Sequence, residues 1–276
     1  MNDLFPLLPS PAAPSIDYQQ NEAVLCLADW HYGMVCDHVF NRYDPDVCRM
    51  RVRRLTDLVK EKIWLHGVEC LHILLLGDFA HGAIHPTVRL ESQEKTCEQL
   101  MHVSEILAEM INELALCSIS IHVHATYGNH MRTMQNKKES IHSDNMERII
   151  PWWLSARLQN NPFVKIHPAD SEFIILEVCG EGIVATHGDL DAAKDFGVTA
   201  SMLFAKSMDC PVSYAIMADK HHIEGLERFG VESIIVPALC GSDDHAHSKR
   251  LYSKPGQTMM IFTPGYGRDA IYQFKV

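Results

Sequence analysis

The strongest constraint on this chain is a recurrence: a short apolar run stops at a polar residue drawn from Asp, Asn and His, and does so five times. AVLCLAD (23–29) stops at Asp29-Trp30-His31, and LHILLLGD (71–78) stops at Gly77-Asp78. SISIHVHATYGNH (118–130) ends in Gly128-Asn129-His130, GIVATHGD (182–189) in His187, and YAIMADKHH (214–222) in Asp219-Lys220-His221-His222. Apolar runs of this length between turn residues read as strands buried on both faces. In open α/β sheets the crevice at the carboxyl ends of strands is where ligands sit, because rigid strand ends let side chains converge. Asp, Asn and His are oxygen and nitrogen donors suited to divalent cations. Asp, Asn and Gly are also ordinary turn formers, so one such strand end would carry little. Five in order carry much more.

Between these runs the apolar spacing turns helical. Asp46 to Leu65 places Val47, Met50, Leu55, Leu58, Val59 and Ile63 on one face among basic residues. Residues 91–116 repeat the pattern with Leu100, Val103, Ile106, Leu107, Met110, Ile111 and Leu114, and ERIIPWWLSARLQ (147–159) predicts a helix with Pro151 in its first turn. Further apolar runs, EFIILEVC, SIIVPAL, MMIFTPGYG and AIYQFKV, complete an alternation expected of an α/β protein. Residues 1–21, with four prolines and little periodicity, read as a flexible N-terminal leader, and residues 22–276 as one domain. The apolar runs are too short for a membrane span and the N-terminus lacks a basic start, so a cytoplasmic protein is expected. Nine cysteines without CxxC pairs fit reduced thiols. The net charge of −11 gives broad duplex binding no support, since that needs a basic face. Seventeen histidines call for a use, and metal ligation is the commonest one.

The strand-end motifs resemble those of the calcineurin-like metallophosphoesterases, whose pattern is D-x-H, GD, GNH, a lone His and GHxH. Asp29-Trp30-His31, Gly77-Asp78, Gly128-Asn129-His130 and His187 follow that order, with 49, 51 and 58 residues between leading ligands. GNHMR and GSDDHAH are further similar to phage-type, SbcD-like members. The resemblance implies a four-layer sandwich of two mixed β-sheets flanked by α-helices. It implies two divalent metals: Asp29 and His31 on one, Asp78 bridging, Asn129 and His187 on the other. His130 would stabilise the transition state or protonate the leaving oxygen. The fifth motif departs from the pattern. Laid on Asp219 and His221 it keeps two ligands, whereas a register one residue later sets Lys220 in place of one and uses His222. Asp is a competent hard ligand and Lys is not, so Asp219 and His221 are preferred. The added carboxylate tilts the site towards Mn or Mg over Zn, with Fe a further candidate.

Two cations so held clamp a phosphate and lower the pKa of a bridging water, whose hydroxide attacks phosphorus in line. Arg132 is a candidate phosphate contact through its fork of donors. The expected activity is a two-metal phosphodiesterase, with nucleic-acid cleavage as the lead and DNA as a partner. The alternatives are a phosphatase or diesterase on nucleotides and other small phosphates, and a non-catalytic module with a degenerate metal site. A homodimer is in keeping with the resemblance. His81 and His85 could line the cleft, and His122 and His124 alternate on one strand face and read as structural. Asp243, Asp244, His245 and His247 read as a polar loop or substrate rim. Trp152 and Trp153 could stack a base but read first as core or interface, and the Arg49–Arg54 run reads as a solvated helix face.

Overall fold

The computed structural model describes residues 20–84, 88–89, 92–243, 246, 250 and 252–276. The expected leader falls, up to residue 19, outside the described residues, as do His85, Asp244, His245 and His247. Two mixed sheets dominate. The first has six strands in the order β13-β12-β1-β4-β5-β6, and the second has five in the order β10-β11-β9-β8-β7. In the first, β1 (Asn21–Leu27), β4 (Val68–Leu75), β5 (Ser120–Ala125) and β6 (Val164–Ile166) run parallel, and β12 (Gly256–Thr263) and β13 (Gly267–Lys275) are antiparallel additions. In the second, β8 (Glu181–Thr186), β9 (Val212–Met217) and β11 (Val231–Ile235) run parallel between antiparallel edges β7 (Phe173–Val178) and β10 (Glu224–Arg228).

Alternation along β1 shows why its sequence is apolar at every position from Ala23 to Leu27. Ala23, Leu25 and Leu27 join the core beneath the helices, and Val24 and Cys26 join the core between the sheets. The helix-side core is covered by α1 (Pro45–His66), α2 (Thr96–Ala115) and α3 (Ile149–Arg157). On the outer face of the second sheet, Phe196 and Ala200 of α4 (Phe196–Phe204) pack on Val184, Ala215 and Ile235. The order helix, sheet, sheet, helix is the four-layer α/β sandwich expected from the sequence. Among the described residues no helix is long and apolar enough to cross a membrane.

Local chemistry sets the element ends. Asp44 caps α1 by accepting from Val47 N at 2.8 Å, Pro45 opens it, and Gly67 closes it at φ 57°. The helix expected over 91–116 begins later, at Thr96, where the Glu98 carboxylate accepts from Lys95 N. Two elements escape the periodicity: the hairpin β2 (Cys36–His38) and β3 (Asn41–Tyr43), and edge strand β10. Arg51 corrects the reading of the basic run as a solvated face. It is buried and donates to the carbonyls of Leu239 and Cys240, each at 2.8 Å, and to Asn41 Oδ1 at 2.9 Å.

Candidate metal centre

The carboxyl ends of β1, β4 and β5 in one sheet and β8 and β9 in the other open on the same edge of the sandwich. Backbone pairing continues past the strands and brings their loops together. Asp29 N donates to Gly77 O at 3.1 Å, His31 N to Asp78 O at 2.9 Å, and Ala218 N to His187 O at 2.9 Å. The glycines of the GD and GNH motifs let two of these loops touch. A Cβ at Gly77 would lie 2.3 Å from Gly128 N, and one at Gly128 would lie 2.0 Å from Asp78 Oδ1. Asp29, His31, Asp78, Asp219 and His221 all adopt left-handed backbone, φ 44° to 61°. Such conformations cost about 1–3 kcal/mol apiece and persist where surrounding structure enforces them. They swing each side chain off its strand axis and into one cleft.

Within that cleft the side chains form two linked groups. His221 Nε2 lies 3.4 Å from Asp29 Oδ1 and 3.4 Å from His31 Nε2, and His31 Nε2 is 4.0 Å from both Asp29 Oδ1 and Asp78 Oδ2. On the other side, His187 Nε2 is 3.3 Å from Asp78 Oδ2 and 3.7 Å from Asp219 Oδ1, which accepts from Asn129 Nδ2 at 3.1 Å. Asp78 touches both groups. Asp29, His31, Asp78 and His187 are buried. His187 Nδ1 donates to Leu76 O at 2.8 Å, which aims Nε2 at the carboxylates, to hold a proton there or to give its lone pair to a cation in the proton's place. Asn129 turns Nδ2 inward, and a half-turn of its amide presents Oδ1, the atom a hard cation takes. His222 points elsewhere: it is exposed, with Nδ1 on Lys220 O and Nε2 on Glu224.

Three carboxylates in a buried pocket need positive charge. Burial works against a charged His187, yet Asp78 outweighs it and holds the ring well above the ordinary histidine range. Asp29 does the same for His221. His31 goes the other way, lowered well below that range by burial and by the neighbouring His130 ring. A cation could take over the charge that protons on His187 and His221 supply, and Asp29 Oδ1 has no well-aligned hydrogen bond among the described residues beyond the 3.4 Å approach of His221 Nε2. The donor set therefore fits divalent metal.

No protein-family model matches the chain. An uncharacterized protein derived from the SPbeta prophage of Bacillus subtilis (strain 168), YonJ, is 22% identical over 278 residues, covering 97% of this chain and 68% of its own. Among solved structures, an archaeal phosphodiesterase matches at 14% identity and TM-score 0.43, covering 92% of this chain and 99% of its own. Vacuolar protein sorting 29 from Cryptosporidium parvum matches at 11% and 0.44, covering 93% and 99%.

Two neighbours of the cleft, Glu147 and Cys240, carry no sequence signal, whereas the sequence marks His81 and His130 as candidates there. Glu147 is buried and accepts four backbone N–H groups: Asp78 N at 2.9 Å, Phe79 N at 2.5 Å, Ala80 N at 3.3 Å and Gly128 N at 2.8 Å. One carboxylate thus clasps the GD loop to the GNH loop. Burial and the nearby Asp78 charge push it up to about 7. Cys240, also buried, forms a close grouping with His31 and His221. His81 is buried beside His31 and His130, with ring centroids 5.6 Å from each. His130 is held by Nδ1 on His81 O at 2.8 Å and by its own N–H on Asp78 Oδ1 at 2.9 Å.

Arg132 departs from the phosphate contact expected of it. Its guanidinium donates to the carbonyls of Asn129 at 2.6 Å, Gln135 at 3.0 Å and Met134 at 3.1 Å. These bonds engage Nε and one N–H of each Nη with the loop that carries Asn129, so Arg132 braces that loop. The cleft, about 350 Å³, has Lys220, Asp243 and Tyr252 among its lining. Lys220 Nζ donates to Asp219 Oδ2 at 2.8 Å and to Gly188 O at 2.9 Å. Trp152 and Trp153 lie elsewhere, on an apolar groove of about 380 Å³ between α2 and α3.

Proposed function

We propose that the chain is a two-metal phosphodiesterase. The carrying observation is that Asp29, His31 and His221 form one group and Asn129, His187 and Asp219 another, each linked within itself by contacts of 4.0 Å or less and joined to Asp78 through His31 and His187. In this reading the first three residues hold one cation, the second three hold the other, and Asp78 serves both. When bound, two such cations polarise a phosphate and acidify a water. The remaining work falls to the chain. His130, held at Nδ1 by His81 O, keeps Nε2 for protonating the leaving oxygen. Glu147 keeps the loops bearing Asp78 and Asn129 in register. Lys220 offsets part of the Asp219 charge at the rim. The extra carboxylate in place of an imidazole favours Mn or Mg over Zn.

Hydrolysis of bis-p-nitrophenyl phosphate and p-nitrophenyl phosphate with added Mn, alongside Asp78→Asn, tests the reading. Diester hydrolysis that the variant loses is the expected result, and no turnover with no metal bound would overturn it in favour of a non-catalytic module. Within the diesterase reading, nucleic acid is the lead substrate, and the prophage origin of the relative accords with a phage-encoded enzyme. Cleavage of single- or double-stranded DNA, with binding that weakens as salt rises, is the expected pattern. The −11 net charge supports a second reading, small phosphates held by the metals alone, which predicts a preference for the monoester. Sedimentation of the full chain tests the expected homodimer.

A further inference from the structure

Away from the cleft, a row of imidazoles crosses the first sheet. From this sheet the core between the sheets draws on β1, β4 and β12 and takes nothing from β5 or β6. The face of β5 that would otherwise enter that core carries His122 and His124, both half-buried. Register places His72 of β4 opposite His122, and His167 follows β6 directly, with its N–H donating to Val123 O at 2.8 Å. His122 Nδ1 lies 3.1 Å from His167 Nε2, and His72 Nδ1 lies 3.4 Å from His124 Nε2. The rings of His124 and His167 stack with centroids 4.2 Å apart.

Such a row is an unusual way to use a sheet face, since rings that gain a proton here repel one another. Burial and the neighbouring rings push His124 down to about 3, and burial lowers His122 and His167. His122, His124 and His167 are therefore neutral at pH 7, each with a lone pair to give. A tetrahedral zinc with zinc–nitrogen distances of ~2.0–2.1 Å sets its ligand nitrogens about 3.3–3.4 Å apart, close to the spacings seen here. Behind the row, Glu22 Oε2 sits 2.8 Å from His72 Nε2. A carboxylate there accepts the Nε2 proton and turns the His72 Nδ1 lone pair towards His124, the arrangement that orients metal-bound imidazoles. Lys165 is the cation beside the row, and its exposed position leaves it screened by solvent.

We propose that His122, His124 and His167, with His72 adjoining, bind one transition-metal ion of the zinc, nickel or copper(II) class, separate from the strand-end centre. All-imidazole coordination suits these borderline ions and disfavours Mg and Ca. The site needs nothing from the phosphodiesterase reading.

The test is zinc binding by equilibrium dialysis on the full chain after chelator treatment. The unaltered chain, Asp78→Asn, His122→Gln and the double variant His122→Gln/His167→Gln are compared, with thermal melts confirming that each is folded. The proposal expects one equivalent that Asp78→Asn keeps, that His122→Gln binds at least about tenfold more weakly, and that the double variant loses. Equal zinc uptake by the unaltered chain and the double variant would overturn it. So would a folded Asp78→Asn chain that binds none. Because His122→Gln removes a half-exposed ring, it keeps the question answerable if the double variant melts early. The phosphodiesterase assay reads Asp78 and is independent of this outcome.

Discussion

In the cleft, His187 and His221 stand against Asp78 and Asp29 and are held well above the ordinary histidine range. On the sheet face, His122, His124 and His167 stand against one another, and His124 falls to about 3. Burial pushes all five rings the same way, so burial does not explain the contrast. The carboxylates do. An imidazole in close contact with a buried carboxylate is a cation holder or a proton store, and one crowded by imidazoles is a neutral donor, as His31 also is beside His130 although two carboxylates lie 4.0 Å away. The same residue type is thus divided by its neighbours into two chemistries about one sandwich.

The largest expected effect separates two adjacent histidines. His221→Ala should cost more than the ~10–100-fold typical of losing an outer-shell partner, because it removes a ring that faces Asp29 and His31. His222→Ala should leave the rate within about twofold, since that ring faces Glu224 at the surface. Comparable losses in the two would break the assignment of the fifth motif. Initial rates on the diester with saturating Mn measure both.

Next comes Glu147→Gln. The amide keeps the shape but faces backbone N–H groups with an NH₂, so the clasp between the GD and GNH loops loosens. We expect Mn affinity and kcat to fall about 10–100-fold, with KM less affected. A variant that melts earlier yet keeps its Mn affinity would reduce Glu147 to a purely structural part.

A smaller effect tests the sheet-face row without metal. His124 titrates near 3 when folded and near 6.5 when unfolded, so between those values the unfolded chain binds more protons. In the presence of chelator, stability should therefore be full above pH 6.5 and decline as pH falls towards 3. His124→Gln should flatten that decline, as urea melts at pH 7 and pH 5 would show. The smallest expected effect is Arg132→Ala. Removing a donor to three loop carbonyls should lower stability by about 1–3 kcal/mol, read as a drop in Tm. A rise in KM with no change in Tm would instead restore the phosphate contact.

Much of the fold is legible in the chain because its central strands β1, β4, β8, β9, β11 and β12 are buried along most of both faces, and such strands write a nearly unbroken apolar run. β1, β4, β5, β8 and β9 lie where those runs lie. The hairpin of β2 and β3 and the edge strand β10 are short and polar, and no periodicity marks them. Arg51 reads as solvated because its spacing matches the rest of its basic run, and only the packing of α1 on the Leu239–Cys240 loop buries it. Glu147 lies in a helix-start segment, where an acidic residue is commonplace.

By itself the sequence determined which residues stand at the ends of apolar strands, since that depends on local pattern alone. It also marked the glycines that let the GD and GNH loops approach. Tertiary structure decided the rest. Two sheets had to pack face to face before Asp219 could meet Asn129, His187 could meet Asp78, or His221 could meet Asp29. Three strands had to pair in one register before four histidines could form a row. The left-handed backbone at five cleft residues is one that Asp and His tolerate better than most, but it persists there because packing and long-range hydrogen bonds outweigh its cost.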